Sequence, residues 1–163
     1  MTTLTTIIAA VIVTLQPKVT PERAEVYAVA IEQTARKYDV DWTLLTAIIN
    51  RESHFQPYNI SRTNDYGMGQ HHCPSFYCGK HPTPEQKACL LDAVCNIDLT
   101  GQELVYKKKT CARKGKRCTD WVQMYNPGSK GYAQRTRALE AQIKQMAAKH
   151  RVLVERLEGK PVL

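Results

Sequence analysis

Apolar residues recur at the three- and four-residue spacing of a helix along nearly the whole chain, and the alternating pattern of a half-buried strand is almost absent. Leu4, Ile7, Ile8, Val11, Ile12 and Leu15 keep the helical spacing until Pro17 stops it. Thr20, Pro21 and Glu22 read as an N-cap, a proline at the first helical position and an acidic first turn. They open a helix to about Tyr38 whose apolar face is Tyr27, Ile31, Ala35 and Tyr38. Asp41 caps the next helix, which buries Leu44, Leu45, Ile48 and Ile49. Thr83, Pro84, Glu85 and Gln86 form another capped start, with Gln86 placed for a capping box, and that helix is expected to carry Ala88, Leu91, Val94 and Cys95 on past Leu99. Asp120 opens a short helix through Trp121, Val122 and Tyr125 that ends at Asn126, Pro127 and Gly128, before a last long helix from about Tyr132 to Leu157. The fold class is therefore mainly α. One polar, irregular stretch from Gln56 to about Pro82 reads as a long loop or a short hairpin region, and structured loops of that length usually carry function.

A chain of 163 residues suits one domain with a continuous core. We divide it into an N-terminal helix or leader over 1–19, a main domain over 20–158 and a tail over 159–163. With 43% hydrophobic and 23% charged residues, and 8 Gly and 8 Pro, disorder is excluded as the main state. The longest apolar run, Ile7 to Val13, is far short of the roughly 20 residues a membrane span needs. As a secretory signal the same segment lacks Lys or Arg before Ile7 and a small-x-small cleavage pattern after Leu15.

Net charge is +8, so the surface should attract polyanions such as nucleic acid, anionic lipid or acidic cell-wall polymer. The main source is Lys107, Lys108, Lys109, Arg113, Lys114, Lys116 and Arg117, a run with no acid and no aromatic residue. Single-strand binding platforms interleave aromatics with charge, and no helix-turn-helix or zinc-finger spacing is present, so nucleic acid is a poor reading. Docking on an anionic wall, or a merely solvated loop, accounts for the run better.

Six cysteines, Cys73, Cys78, Cys89, Cys95, Cys111 and Cys118, all lie within residues 73–118. An even, clustered set points to disulfides and an oxidising environment, with fifteen pairings open, although Cys111 with Cys118 would close a short loop in the basic run. His71, His72, Cys73, Cys78, His81 and Cys89 offer the ligand types for zinc as an alternative, but no CxxC or HxxxH spacing anchors it.

The next position on the apolar face of the Asp41 helix is Glu52. A carboxylate there either points to solvent or pairs with Arg51 or a distant Lys, or it is desolvated, which raises its pKa and lets it donate a proton. The string Glu52, Ser53, His54, Phe55, followed by Asp65, Tyr66, Gly67, Met68, Gly69 and Gln70, resembles the Glu-Ser-x-Phe and Gly-Leu-Met-Gln motifs of the lytic transglycosylases of the goose-type lysozyme superfamily. Tyr38 to Ala47 look like that family's approach to its catalytic helix. Asn96, Ile97 and Gly101 look like its Asn-Ile-x-x-Gly segment, and Tyr125, Asn126 and Gly128 like its Tyr-Asn-x-Gly. Four motifs in the family's order, spanning about Val26 to Leu139, make a specific combination. Gly69 in place of the usual Met, and His71 in place of an aliphatic after Gln70, depart from the pattern and are expected to reshape a glycan subsite.

The resemblance implies a lysozyme-like transglycosylase domain with the irregular loop region beside its cleft, no metal and no organic cofactor. It implies Glu52 as the catalytic acid, with Gln70 and Tyr125 holding the sugar and its N-acetyl group and Asn126 supporting that wall. The expected reaction cleaves the MurNAc–GlcNAc β-1,4 bond of peptidoglycan and leaves 1,6-anhydro-MurNAc ends. One Glu then serves as acid and afterwards as base, which suits a pKa raised by Leu45, Ile48 and Ile49.

Asp65, within Asp65-Tyr66-Gly67, also looks like the second carboxylate of animal-type lysozymes, so a hydrolytic muramidase using Glu52 and Asp65 is an alternative. Asp65 reads otherwise as a turn residue after Asn64. A non-catalytic structural or adaptor protein binding glycan or nucleic acid is the third reading. The expected partner is the peptidoglycan glycan strand, in the bacterial envelope. Delivery as a phage virion component or through a secretion apparatus is preferred to ordinary signal-peptide export.

Overall fold

The computed structural model describes residues 2–73, 76–79 and 81–157, with the side chains of 155–157 left aside. The tail assigned to 159–163 and residue 158 lie outside the described residues. Six α-helices form among them: α1 (Thr3–Leu15), α2 (Pro21–Tyr38), α3 (Trp42–Ser53), α4 (Pro84–Leu91), α5 (Ala93–Lys114) and α6 (Tyr132–Leu157). Two 3-10 turns, Gly115–Arg117 and Trp121–Met124, join α5 to α6. Between α3 and α4 a two-stranded antiparallel ribbon pairs Asp65 with His72 and Tyr66 with His71, through β1 (Asp65–Tyr66) and β2 (His71–His72).

The caps account for the boundaries. Thr20, Asp41, Thr83 and Asp120 each accept a hydrogen bond from a backbone N–H of the first turn that follows, and Thr83 and Gln86 close a reciprocal capping box. The helix beginning at Thr83 does not run on past Leu99 as the periodicity predicts. It stops at Leu91 and restarts at Ala93, because Asp92 adopts an extended conformation and its carboxylate caps Cys95 N. The Cys89–Cys95 disulfide spans the break, and the buried Asn96 side chain takes up the Leu90 carbonyl that the broken helix leaves behind. The basic run is likewise not a loop. Its first five charges sit on the last two turns of α5, where cations complement the helix dipole.

Disulfides also join Cys73 to Cys78 and Cys111 to Cys118. Cys73, Cys78 and Cys89, offered above as zinc ligands, are therefore held in S–S bonds, which leaves no thiolate for a metal. The short spacings, all between neighbours in sequence, pin local turns rather than distant elements.

The core is built from Ile8 and Ile12 of α1, Tyr27, Ala28 and Ile31 of α2, Leu44, Leu45, Ile48 and Ile49 of α3, and Ile97 and Leu104 of α5. Residues 3–15, set apart in the sequence division, thus pack into the same core as the later helices. Their buried Ile7, Ile8, Val11 and Ile12 stabilise it by roughly 1.5–3 kcal/mol each. A polar clamp fixes the other end of α1. Thr2 Oγ1 donates to Glu32 Oε2 at 2.6 Å, Thr5 Oγ1 donates to the same oxygen, and Arg36 pairs with Oε1 at 2.6 Å. The buried Glu32 carboxylate is in this way fully paired.

Candidate active site

α3 delivers Glu52 at its last turn. Immediately afterwards His54 and Phe55 both adopt positive φ, 53° and 61°, so the chain reverses at once and Phe55 folds back to stack on Tyr27 in the core. Ser53 supports this turn: its hydroxyl donates to Ile49 O and accepts from Gln56 N. The Glu-Ser-x-Phe string is thus a device that ends a buried helix just after its carboxylate.

The second wall is the ribbon and the tight loop between β1 and β2. A side chain at Gly67, whose φ is +72°, would meet Leu90 O at 2.1 Å and Asn96 Nδ2 at 2.2 Å. At Gly69 a Cβ would meet Thr100 Oγ1 at 2.3 Å. Asn96 organises this loop from α5. Its Oδ1 accepts from Gly69 N at 2.7 Å while its Nδ2 donates to Tyr66 O and Leu90 O at 3.2 and 2.7 Å. Gly101 falls one residue later than the spacing of the resembled segment. Thr100 takes that place instead, and Gly69 leaves it the room that a methionine would fill. His71 completes the substitution. It is buried, with Nδ1 2.8 Å from Glu103 Oε2 and Nε2 3.1 Å from Thr100 Oγ1, where an aliphatic residue could satisfy neither group.

These elements enclose a cleft of about 310 Å³ lined by Glu52, Asp65, Gln70, His72, Glu103, Lys107, Tyr125, Asn126 and Pro127. All five candidate residues of the sequence reading meet in it. Tyr125 Oη donates to Gly69 O at 2.8 Å and its ring stacks on Tyr132 at 6.3 Å. Gln70, at φ 51°, spends its amide nitrogen on Gly67 O and Asn59 O, at 2.8 and 3.2 Å, which leaves its amide oxygen as acceptor. Asn126 is held through its backbone: Gln123 Nε2 donates to both Asn126 O and Ser129 O.

Sequence reasoning missed Glu103 and, beneath the cleft, Tyr132, and named Lys107 only as part of the basic run and His72 only as a possible zinc ligand. A signal existed for two of them. Asn96, Thr100, Glu103 and Lys107 make a polar stripe at helical spacing on an otherwise apolar-faced α5. Nothing local marks Tyr132, which reaches Glu52 across 80 positions of sequence and donates its hydroxyl to Oε1 at 2.5 Å.

Three carboxyl groups therefore share one cleft, and their surroundings separate them. Burial raises the pKa of Glu52, the nearby Asp65 and Glu103 charges push the same way, and only the Tyr132 hydrogen bond and the Arg51 charge oppose it. Asp65 goes down. Burial resists ionisation there, but Thr63 and Ser61 donate to Oδ2 at 2.6 and 2.7 Å and His72 Nδ1 lies 2.8 Å from Oδ1, so the charged form wins. Glu103 also goes down against burial, through His71 and through Lys107 at 3.1 Å. Burial pushes the phenols of Tyr125 and Tyr132 well above their ordinary value, so both stay protonated donors.

Glu52 is thus the one carboxyl of the cleft whose pKa is raised, and it neighbours two whose pKa values are lowered. Among the described residues, no cluster of three or more His, Cys, Asp or Glu is disposed to hold a metal ion. Residues 29–128, from within α2 to the end of the Tyr125–Gly128 loop, match the family model of the transglycosylase SLT domain.

Proposed function

Because the chain belongs to the transglycosylase SLT domain family, and is accordingly a lysozyme-like peptidoglycan lytic transglycosylase, a lyase, we propose that Glu52 carries both proton transfers of the reaction. The cleft binds the glycan strand around the MurNAc–GlcNAc β-1,4 bond. Glu52 arrives neutral and protonates the leaving glycosidic oxygen while the substrate's own N-acetyl group assists departure. Once ionised, Glu52 removes the proton of the sugar's 6-hydroxyl, that oxygen closes on C1, and a 1,6-anhydro-MurNAc end forms without water being consumed. Tyr132 matches this sequence of states, since its hydroxyl stabilises the carboxylate after the first transfer. Gln70, Tyr125 and Asn126 present amide and phenol groups suited to a neutral sugar.

The observation that carries the reading is the contrast among the three carboxyls: burial raises the pKa of Glu52, while hydrogen-bond donors and cations lower those of Asp65 and Glu103. Asp65 has both oxygens engaged by three donors, which favours an orienting role over attack on C1 as in the hydrolytic alternative. The test is mass spectrometry of muropeptides released from purified sacculi. Anhydro-ended products are expected. Reducing-end products would overturn the mechanism in favour of hydrolysis through Asp65.

The pH dependence has a definite sign. Glu52 must be protonated for the first transfer, so activity falls as pH rises through its raised pKa. Tyr132→Phe removes a hydrogen bond that favours the ionised form, so the pKa rises further and the alkaline limb of kcat/KM against pH moves to higher pH. A limb that stays in place or moves down would show that Tyr132 does not hold this carboxylate.

We place the action in the bacterial envelope, with local opening of the wall as its role. No helix among the described residues is long and apolar enough to cross a membrane. Delivery as a virion component or through a secretion apparatus belongs to the same proposal. Detection of the chain in purified virions supports the first route.

A further inference from the structure

The polar stripe that lines the cleft does not end there. Lys107 is followed on the same face of α5, four and three residues on, by Cys111 and Lys114, so Lys114 lies two helical turns, about 10 Å, beyond Lys107. The Cys111–Cys118 disulfide folds the chain back at that point and brings Arg117 beside Lys114. Together with Gln123, Met124 and Pro127 these two cations border a second groove of about 140 Å³. Pro127 also lines the catalytic cleft, so the two depressions share a rim.

Lys114 and Arg117 are exposed and have no acidic partner within salt-bridge distance among the described residues. Lys107, inside the cleft, is by contrast already paired with Glu103. The one acid on the groove, Asp120, is engaged by Arg137 and by capping Val122 N. The groove therefore offers two uncompensated cations in a fixed position relative to the candidate catalytic carboxyl.

We propose that this groove is a subsite for the free carboxylates of the peptides that peptidoglycan strands carry, so that the enzyme favours peptide-bearing glycan over bare glycan. The inference rests on the glycan-binding reading of the cleft. A strand seated against Glu52 carries its peptides on lactyl arms away from the sugar chain, and the shared rim at Pro127 is where such an arm can leave the cleft. Charge complementarity supplies the attraction. Nucleic acid fits less well, because the aromatics next to the basic face are occupied: Tyr106 packs on Phe76, and Arg137 lies over the Trp121 ring.

The test uses the full chain and the double variant K114Q/R117Q, both changes being on exposed side chains outside the cleft. Cosedimentation is measured with intact sacculi and with sacculi whose peptides have been removed by an amidase, in parallel with the rate of glycan cleavage on each. The expected result is a roughly three- to tenfold weaker binding of the variant to intact sacculi, with KM raised to match and kcat unchanged. On peptide-free glycan, variant and parent should behave alike. Equal binding to intact sacculi, an equal loss on peptide-free glycan, no sedimentation of the parent with either, or displacement of intact sacculi by duplex DNA at lower concentration than by free stem peptide would each overturn the proposal. If the parent binds with this charge dependence but cleaves nothing, the catalytic reading fails and the groove assignment stands.

Discussion

Glu52→Gln is expected to reduce release of anhydro-ended muropeptides by about 1,000-fold or more, since positioned proton transfer contributes roughly 10²–10⁴ and this residue supplies it in both steps. The amide keeps the shape of the side chain and can still accept the Tyr132 hydroxyl, so binding to sacculi should persist. A second effect separates loss of chemistry from loss of fold. The pKa of Glu52 is raised in the folded state, so the folded protein holds that proton more tightly than the unfolded chain does. Stability is then lost as pH rises from the unfolded value through the folded one. Gln does not titrate, so the variant should be more stable than the parent at neutral pH and should show a flatter dependence of Tm on pH across that interval. A variant that is inactive and also less stable at neutral pH would mean that Glu52 is a structural carboxylate rather than a strained catalytic one.

Asn96→Ala should be the most damaging single change outside the reacting groups. The side chain is 1% exposed and makes three hydrogen bonds, to Gly69 N, Tyr66 O and Leu90 O. Truncation leaves three buried backbone groups without partners, at roughly 1–3 kcal/mol each, so a loss of about 3–5 kcal/mol is expected. At this chain length that lowers Tm by about 10 °C. Activity should fall further than the folded fraction does, because Gly69 anchors the carbonyl that Tyr125 holds and Gln70 follows directly. Gln102→Ala, an exposed change on the same helix, should stay within about 0.5 kcal/mol and serves as the comparison. Thermal unfolding of the three proteins, with activity measured well below each Tm, decides the matter. An Asn96→Ala protein as stable as the parent would show that the loop is held by other means.

Much of this architecture is written locally. Thr20, Asp41, Thr83 and Asp120 mark helix starts by chemistry that acts over three residues, and the structure keeps each of them as a cap. The apolar stripe ending at Glu52 marks an unusual carboxylate, and the ordered motifs around Gln70 and Tyr125 bring their residues into one cleft with it. The break at Asp92 was less legible. Ala88, Leu91, Val94 and Cys95 keep helical spacing straight through it, and only a side-chain cap, a disulfide and the Asn96 contact to Leu90 O stop the helix there.

Legible in the sequence, therefore, are the mainly helical class, the capped starts at Thr20, Asp41, Thr83 and Asp120, the long irregular segment between α3 and α4 and the residue types that can move a proton or hold a sugar, because caps, periodicity and motif order all act at short range. How far the three carboxyls of the cleft diverge follows from packing: the pKa of Glu52 is raised and those of Asp65 and Glu103 are lowered. That outcome depends on Tyr132 arriving from 80 residues away, on His71 and Lys107 lying against Glu103, and on Ser61, Thr63 and His72 engaging Asp65. A pKa is set by burial and by charges and donors in space, and those neighbours are fixed only when the helices have packed.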